Sequence, residues 1–224
     1  MRGWRAEGDV MRRFMAVPMA GLLALTLAAS ALAGPNVGNF SGSLTLAQAN
    51  WDSWDDASQT YSSGYVAVGE DQNGNVFAEY SEFSQQYVQC TGADTPDNPD
   101  DDTFGAIGSS VWGYGSPSMA ITKNFASATA SGTLEASRET FNECTGEYGY
   151  EGLPALAFSL DLTATSAAVK ESGRGSFHLP GEFNSHSSYK ATYRFAEGTV
   201  DVGGSVHDVY GQIGKISWMD HSNG

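Results

Sequence analysis

The chain has 224 residues, 11 basic against 26 acidic, a formal charge of −15 and two cysteines. A pI near 4.4 excludes phosphate-rich partners, nucleic acid and anionic lipid surfaces, which need clustered Lys and Arg. Twenty-seven glycines, 12% aromatics and 17% charged residues exclude a disordered tail, a coiled coil and a long helical array.

Arg12-Arg13 precede an uncharged run from Phe14 to Ala33 that ends Ala31-Leu32-Ala33. A basic start, an apolar middle and small residues two positions apart spell a secretory signal peptide cleaved after Ala33. A spanning helix has similar length, but Pro18, Gly21, Ser30 and the small-residue end favour cleavage. Glu7 and Asp9 are foreign to such a leader, so Met11 is the expected start. Cleavage leaves 7 of the basic and 24 of the acidic residues, a charge of −17. Residues 34–224 then form one domain, exported to an extracellular or periplasmic space, with no stable membrane anchor expected.

The mature chain has a period of two. Phe40, Leu44 and Leu46 share parity, followed by a polar aromatic stretch through Trp51 and Trp54. Asp71-Gln72-Asn73-Gly74-Asn75 separates Tyr65–Val68 from Val76–Tyr80 and predicts a hairpin, because Asn-Gly accepts positive φ. Asp94–Asp102, with two prolines and five aspartates, predicts a loop, as does 147–153. Leu156, Phe158, Leu160 and Leu162 alternate with Ala157, Ser159, Asp161 and Thr163, one apolar face and one polar. Pro154 stands before that strand, where no ladder donor is lost. Ser172–Gly175 predicts a turn, and Tyr189, Ala191, Tyr193 and Phe195 a second alternating strand. Gly203-Gly204 predicts a turn between Thr199–Val202 and Ser205–Val209. About ten strands with short connections and no amphipathic helix predict an all-β fold. A single antiparallel β-sandwich is the first expectation and a closed β-barrel the second.

In an oxidising compartment Cys90 and Cys144 are expected to bridge. Tyr87-Val88-Gln89-Cys90-Thr91-Gly92 echoes Phe141-Asn142-Glu143-Cys144-Thr145-Gly146, so the bridge would join two strand ends at one rim. That rim carries the candidate chemistry. Asp97, Asp100 and Asp102, with Asp94, Asp101, Glu147 and Glu151 nearby, are candidate calcium ligands in a flexible acidic loop. The spacing departs from the EF-hand pattern, and a solvated acidic loop is the plainer reading. Trp51, Trp54, Tyr148 and Tyr150 are candidate ligand-binding residues, with Trp112 and Tyr114 as contributors if they fold nearby, since aromatic faces stack on sugars. Core packing is the ordinary alternative for the tryptophans.

Catalytic signatures are weak. His178 and His186 flank Pro180-Gly181, His207 and His221 stand alone, and zinc needs three or four ligands held together. Neither Gly-x-Ser-x-Gly nor His-Glu-x-x-His occurs. The pairs Glu135/Glu139 and Glu79/Glu82 would suit glycoside hydrolysis only if they face each other across a cleft. The sequence therefore points to an exported binding protein for an extracellular glycan or protein ligand. A glycan hydrolase, or a barrel carrier of a small apolar ligand, stays as an alternative.

Overall fold

The computed structural model describes residues 38–90, 103–179 and 183–223. They form eleven strands: β1 (Gly38–Asp55), β2 (Thr60–Asp71), β3 (Val76–Cys90), β4 (Thr103–Gly115), β5 (Ser118–Ile121), β6 (Ser127–Asn142), β7 (Glu147–Gly152), β8 (Leu156–Ala164), β9 (Val169–Leu179), β10 (Phe183–Val202) and β11 (Ser205–Asn223). The described residues contain no helix. Among the described residues, 41–175 and 187–219 form one compact unit, and 38–40, 176–179, 183–186 and 220–223 belong to another. Every site residue discussed below lies in the larger unit unless said otherwise.

The pairing order is β11-β1-β2-β3-β4-β6-β8-β10-β9, and β11 also pairs with β10. The path therefore returns on itself through eight strands, as glycine contacts on β11 illustrate. A β-carbon at Gly211 would meet Gln48 O of β1, and one at Gly214 would meet Thr192 O of β10. The antiparallel, sandwich-like expectation holds, and the circuit of pairings is the trait the barrel alternative anticipates.

Short strands extend this circuit. β5 and β4 both lie along β6, parted near Pro117, and β7 and β8 lie along its other edge, parted at Pro154. Proline supplies no ladder donor, so each break falls where one hydrogen bond is already lost.

One cluster of buried residues drawn from all eight strands makes the core. Leu134, Leu160, Leu162, Ile213, Val66, Val68 and Val200 are its largest fully buried members. β8 reads as its alternation predicts, with Phe158, Leu160 and Leu162 buried. Burying a side chain of this size stabilises the fold by about 1.5–3 kcal/mol before the ordering entropy is counted.

Two strands turn the other face to the core. On β1 the core residues are Ala47, Ala49 and Trp51, and Leu44 instead packs on the outer face over Gly69 beside Phe77. On β10 they are Ala196, Val200 and Val202, opposite Ala164, Leu160 and Phe158 of β8, which leaves Phe195 exposed. Because strand parity is two, register with the neighbour decides which face is buried, and long aromatics can coat the outside.

The predicted turns at 71–75 and 203–204 form, with Gly74 at φ 84° and Gly203 and Gly204 at 61° and 90°. The turn expected at Ser172–Gly175 does not, because β9 runs straight through it. Gly173 instead lies under the Tyr189 ring, where a β-carbon would come within 2.4 Å of Cε1. Residues 147–152, expected as loop, form β7, paired in register with β6 from Ser137 to Asn142.

Candidate binding site at the disulfide rim

Cys90 at the end of β3 and Cys144 just after β6 come within disulfide distance, their Cα atoms 5.2 Å apart. Gly105 of β4 makes room for the bridge, since a β-carbon there would sit 2.9 Å from the Cys90 Sγ. This end of the sheet is therefore the rim expected from the repeated Cys-Thr-Gly. Asp94, Asp97, Asp100, Asp101 and Asp102 lie outside the described residues. Among the described residues, no three His, Cys, Asp or Glu side chains gather to hold a metal.

The pairing register sorts the rim residues onto two faces. On the outer face stand Trp54 of β1, Tyr87 of β3, Trp112 of β4 and Tyr148 and Tyr150 of β7. Tyr148 and Tyr150 are 72% and 70% exposed. Trp54 and Tyr87 lie 6.1 Å apart between ring centres, and Trp112 and Tyr150 6.2 Å. Between these pairs Phe83 and Phe141 stack at 6.0 Å over Gly108, whose missing side chain opens the space. Hydrogen bonds hold several of the rings. Trp54 Nε1 donates to Asp56 Oδ1 at 2.7 Å, and Gln85 Nε2 donates to the Tyr87 hydroxyl at 2.6 Å. The Tyr150 hydroxyl donates to Ser137 Oγ at 3.0 Å, and that of Tyr210 to Asp52 Oδ1 at 3.2 Å. From β1 to β7 this surface crosses five strand spacings, about 24 Å.

Trp51 does not join it. Three residues from Trp54 on a strand means the opposite face, and Trp51 is 5% exposed. Its indole stacks on His207 of β11 at 4.7 Å and on Tyr80 of β3 at 6.2 Å. Among the described residues its Nε1 has no hydrogen-bond partner. An unsatisfied buried donor costs about 1–3 kcal/mol.

The inner face of the rim is built in tiers. Trp51 pairs across the sheet with Gly64, Glu82, Val111, Arg138 and Glu151. One step nearer the rim come Ser53, Ser62, Ser84, Ser109, Thr140 and Gly149. Of this tier Ser109, Thr140 and Gly149 line an open cavity of about 540 Å3 against β4, β6 and β7, together with Arg138, Asn142 and Glu147. Arg138 Nη1 stands 3.3 Å from Glu151 Oε1, an exposed pair worth about 0–1 kcal/mol. The Tyr80 hydroxyl donates to Glu82. Burial first, and then this bond, push the Tyr80 phenol far above its usual range, against a smaller opposite pull from Arg138.

The carboxylate pairs do not form a cleft. Glu79 and Glu82 are an odd number of residues apart and lie on opposite faces. Glu135 and Glu139 share the outer face, but four residues along one strand separates them by about 13 Å. His178 Nδ1 bonds the Asn184 side chain within the smaller unit. The sequence pointed to Tyr148, Tyr150, Trp54 and Trp112 and missed Tyr87 and the serine tier. Serines spread over four strands leave no local signal, because only register aligns them.

Comparison with protein-family models, with curated proteins and with solved structures finds no match to this chain.

Proposed function

We propose that this chain is an exported, non-enzymatic binding domain whose outer aromatic surface takes glycans. One observation carries the reading: Trp54, Tyr87, Tyr148 and Tyr150 are all exposed on one face although apolar rings ordinarily seek burial. Flat, half-fixed rings suit the apolar faces of sugars, and Asp56, Gln85 and Ser137, each bonded to one of the rings, supply polar groups beside them. Export is supported by the leader pattern over 12–33 and by a cysteine pair at disulfide distance, which suits an oxidising compartment. Among the described residues no helix is long and apolar enough to cross a membrane.

The test is titration calorimetry against a panel of soluble oligosaccharides, with and without chelator. At least one should bind, and Trp54→Ala with Tyr148→Ala and Tyr150→Ala should weaken it at least about tenfold, as loss of aromatic anchors does. Binding unchanged in the triple variant, or none across the panel, overturns the proposal. Dependence on chelator assigns part of the affinity to calcium, and Asn at Asp97, Asp100 and Asp102 should then remove that part.

A further inference from the structure

Away from the disulfide rim, β9, β10 and β11 lie side by side. Glycine contacts fix their register. In this sheet a ring lying over a glycine belongs to its direct partner, as with Trp51 over Gly64 and Phe141 over Gly108. The Tyr189 ring over Gly173 therefore sets those two residues opposite, and Gly175 against Ser187 Oγ repeats the offset two residues on. A glycine whose added β-carbon would meet one residue's carbonyl and the next residue's Cα pairs with the latter, as Gly198 does with Leu162. Gly214 meets Thr192 O and the Tyr193 Cα in the same way, so it stands opposite Tyr193. Lys170 and Lys215 then flank Thr192 in one row, one on each neighbouring strand.

Strand alternation puts Arg194 and Lys190 on the same face as Thr192, two residues to either side, and Arg174 one diagonal step beyond Lys190. This is the face that carries Ala196, Val200 and Ile213 in the core, prolonged past the apolar residues. Four cations thus surround one threonine, about 5 Å away across the strands and about 7 Å along β10 between Cα atoms. With Arg174 they are five of the seven basic residues in 34–224, a stretch with 24 acidic ones. No carboxylate shares this face over 170–174, 188–194 or 213–217, since Glu171 bonds Tyr193 on the other side. Lys170, Arg174, Lys190 and Lys215 are exposed. Among the described residues none of the five has a carboxylate within ion-pair distance. Arg194 Nη1 donates to Ser166 O at 3.4 Å, and its buried Nε has no partner among the described residues. Like charges on neighbouring strands destabilise a sheet, and an anion seated among them removes that cost.

The surroundings narrow the class of anion. The row runs on from Lys215 through Thr45 of β1 to Glu70 of β2, where the cationic ground ends. An extended polyanion, which the acidic chain as a whole repels, would run onto such carboxylates, and a compact anion does not. Asp52 of the rim lies about 24 Å along β1 from Thr45, beyond the screening length of about 8 Å at physiological salt. Lysine and arginine only donate, and the Thr192 hydroxyl adds a further donor, which suits a group made of acceptors. A phosphate group brings three acceptor oxygens and nearly two charges, against one charge on a carboxylate or a sulfate ester. We infer that the Thr192 face is an anion site for a phosphate group, free or as the monoester of a small molecule, held by Lys170, Lys190, Arg194 and Lys215. It occupies the opposite face from the aromatic surface and does not rest on that reading.

The experiment is titration calorimetry of the purified protein with inorganic phosphate, glucose 6-phosphate, glucose 6-sulfate and glucuronate. Glucose 6-phosphate should bind at least about tenfold more tightly than the sulfate ester or glucuronate, as charge number predicts. Inorganic phosphate binding equally well assigns recognition to the free group, and weaker binding assigns it to the ester; either upholds the site. Lys170→Gln with Lys215→Gln should weaken binding at least about tenfold at an unchanged melting temperature, because hydrogen bonds to a charged group are lost. Lys170→Arg with Lys215→Arg, which keeps both charges, should restore most of it. Trp54→Ala should leave phosphate binding as it is, which separates this site from the aromatic surface. The inference is overturned if neither phosphate compound binds up to its solubility. Binding that survives the double glutamine variant, or a sulfate ester or glucuronate binding as tightly as the phosphates, overturns it equally.

Discussion

Trp51 lies flat across Gly64: a β-carbon on that glycine would stand 1.9 Å from the indole Cζ2. The ring reaches from β1 over β2 and meets Tyr80 of β3 on one side and His207 of β11 on the other. Four neighbouring strands are thus tied at the level where the apolar core gives way to the hydroxyl tier. Gly64 is required here by close approach, not by backbone conformation.

Gly64→Ala should therefore destabilise the protein by about 1–3 kcal/mol, the usual cost of forcing a packed ring aside. Urea denaturation measures it, and near-UV circular dichroism should lose the Trp51 signal. A change within about 0.5 kcal/mol, typical of neutral surface positions, would show that the ring does not cover Gly64.

The bridge between Cys90 and Cys144 spans a sequence separation of 54. Replacing both with serine should lower stability by about 4 kcal/mol on the loop-closure argument. Thermal unfolding of the double variant beside the oxidised protein checks this. A midpoint that does not fall would mean that the unfolded chain gains no freedom from losing the bridge.

Tyr65 titrates late. Burial in the first place, and the negative charge of Glu79 in the second, push its phenol up to about 12. An unfolded tyrosine ionises near 10, so the folded state holds this proton more tightly. The resulting stabilisation is complete below pH 10 and is lost as pH rises through about 12. Ultraviolet titration should show two phenols ionising near 12, Tyr65 and Tyr193, of which one disappears in Tyr65→Phe. Retention of the whole high-pH transition in that variant would assign it elsewhere.

Asp71 organises the β2–β3 turn. Its Oδ1 accepts from Asn73 N at 2.7 Å and Asn75 N at 2.9 Å, and its Oδ2 accepts from Asn75 Nδ2 at 2.8 Å. The Asn75 side chain first, then the backbone amides, hold this carboxyl below its usual range. A depressed pKa means that the turn is supported at neutral pH and loses that support as pH falls through the folded value. Hydrogen exchange at Asn73 and Asn75 should accelerate in acid, and in Asp71→Ala it should be fast at neutral pH already. Equal exchange in variant and parent would show that the carboxylate does not hold the turn.

Local patterns were enough to determine the class of this fold. Alternation at Leu156–Leu162 identifies a strand and its buried face, because both neighbours of β8 present apolar partners to that face. Asn73-Gly74 and Gly203-Gly204 identify turns, because few residues accept positive φ. The two Cys-Thr-Gly segments anticipate a shared rim, which the 5.2 Å separation of their cysteines provides.

Tertiary structure alone decided the rest. Leu44 and Phe195 sit on the outer face because register, a non-local property, assigns parity to β1 and β10. Trp51 and Trp54 look like one platform in sequence, yet an odd spacing puts one inside and one outside. The hydroxyl tier is invisible locally, since Ser62, Ser84 and Ser109 become neighbours only when three separate strands pair. A pattern along the chain reports what each residue prefers, whereas which face it occupies depends on strands distant in sequence.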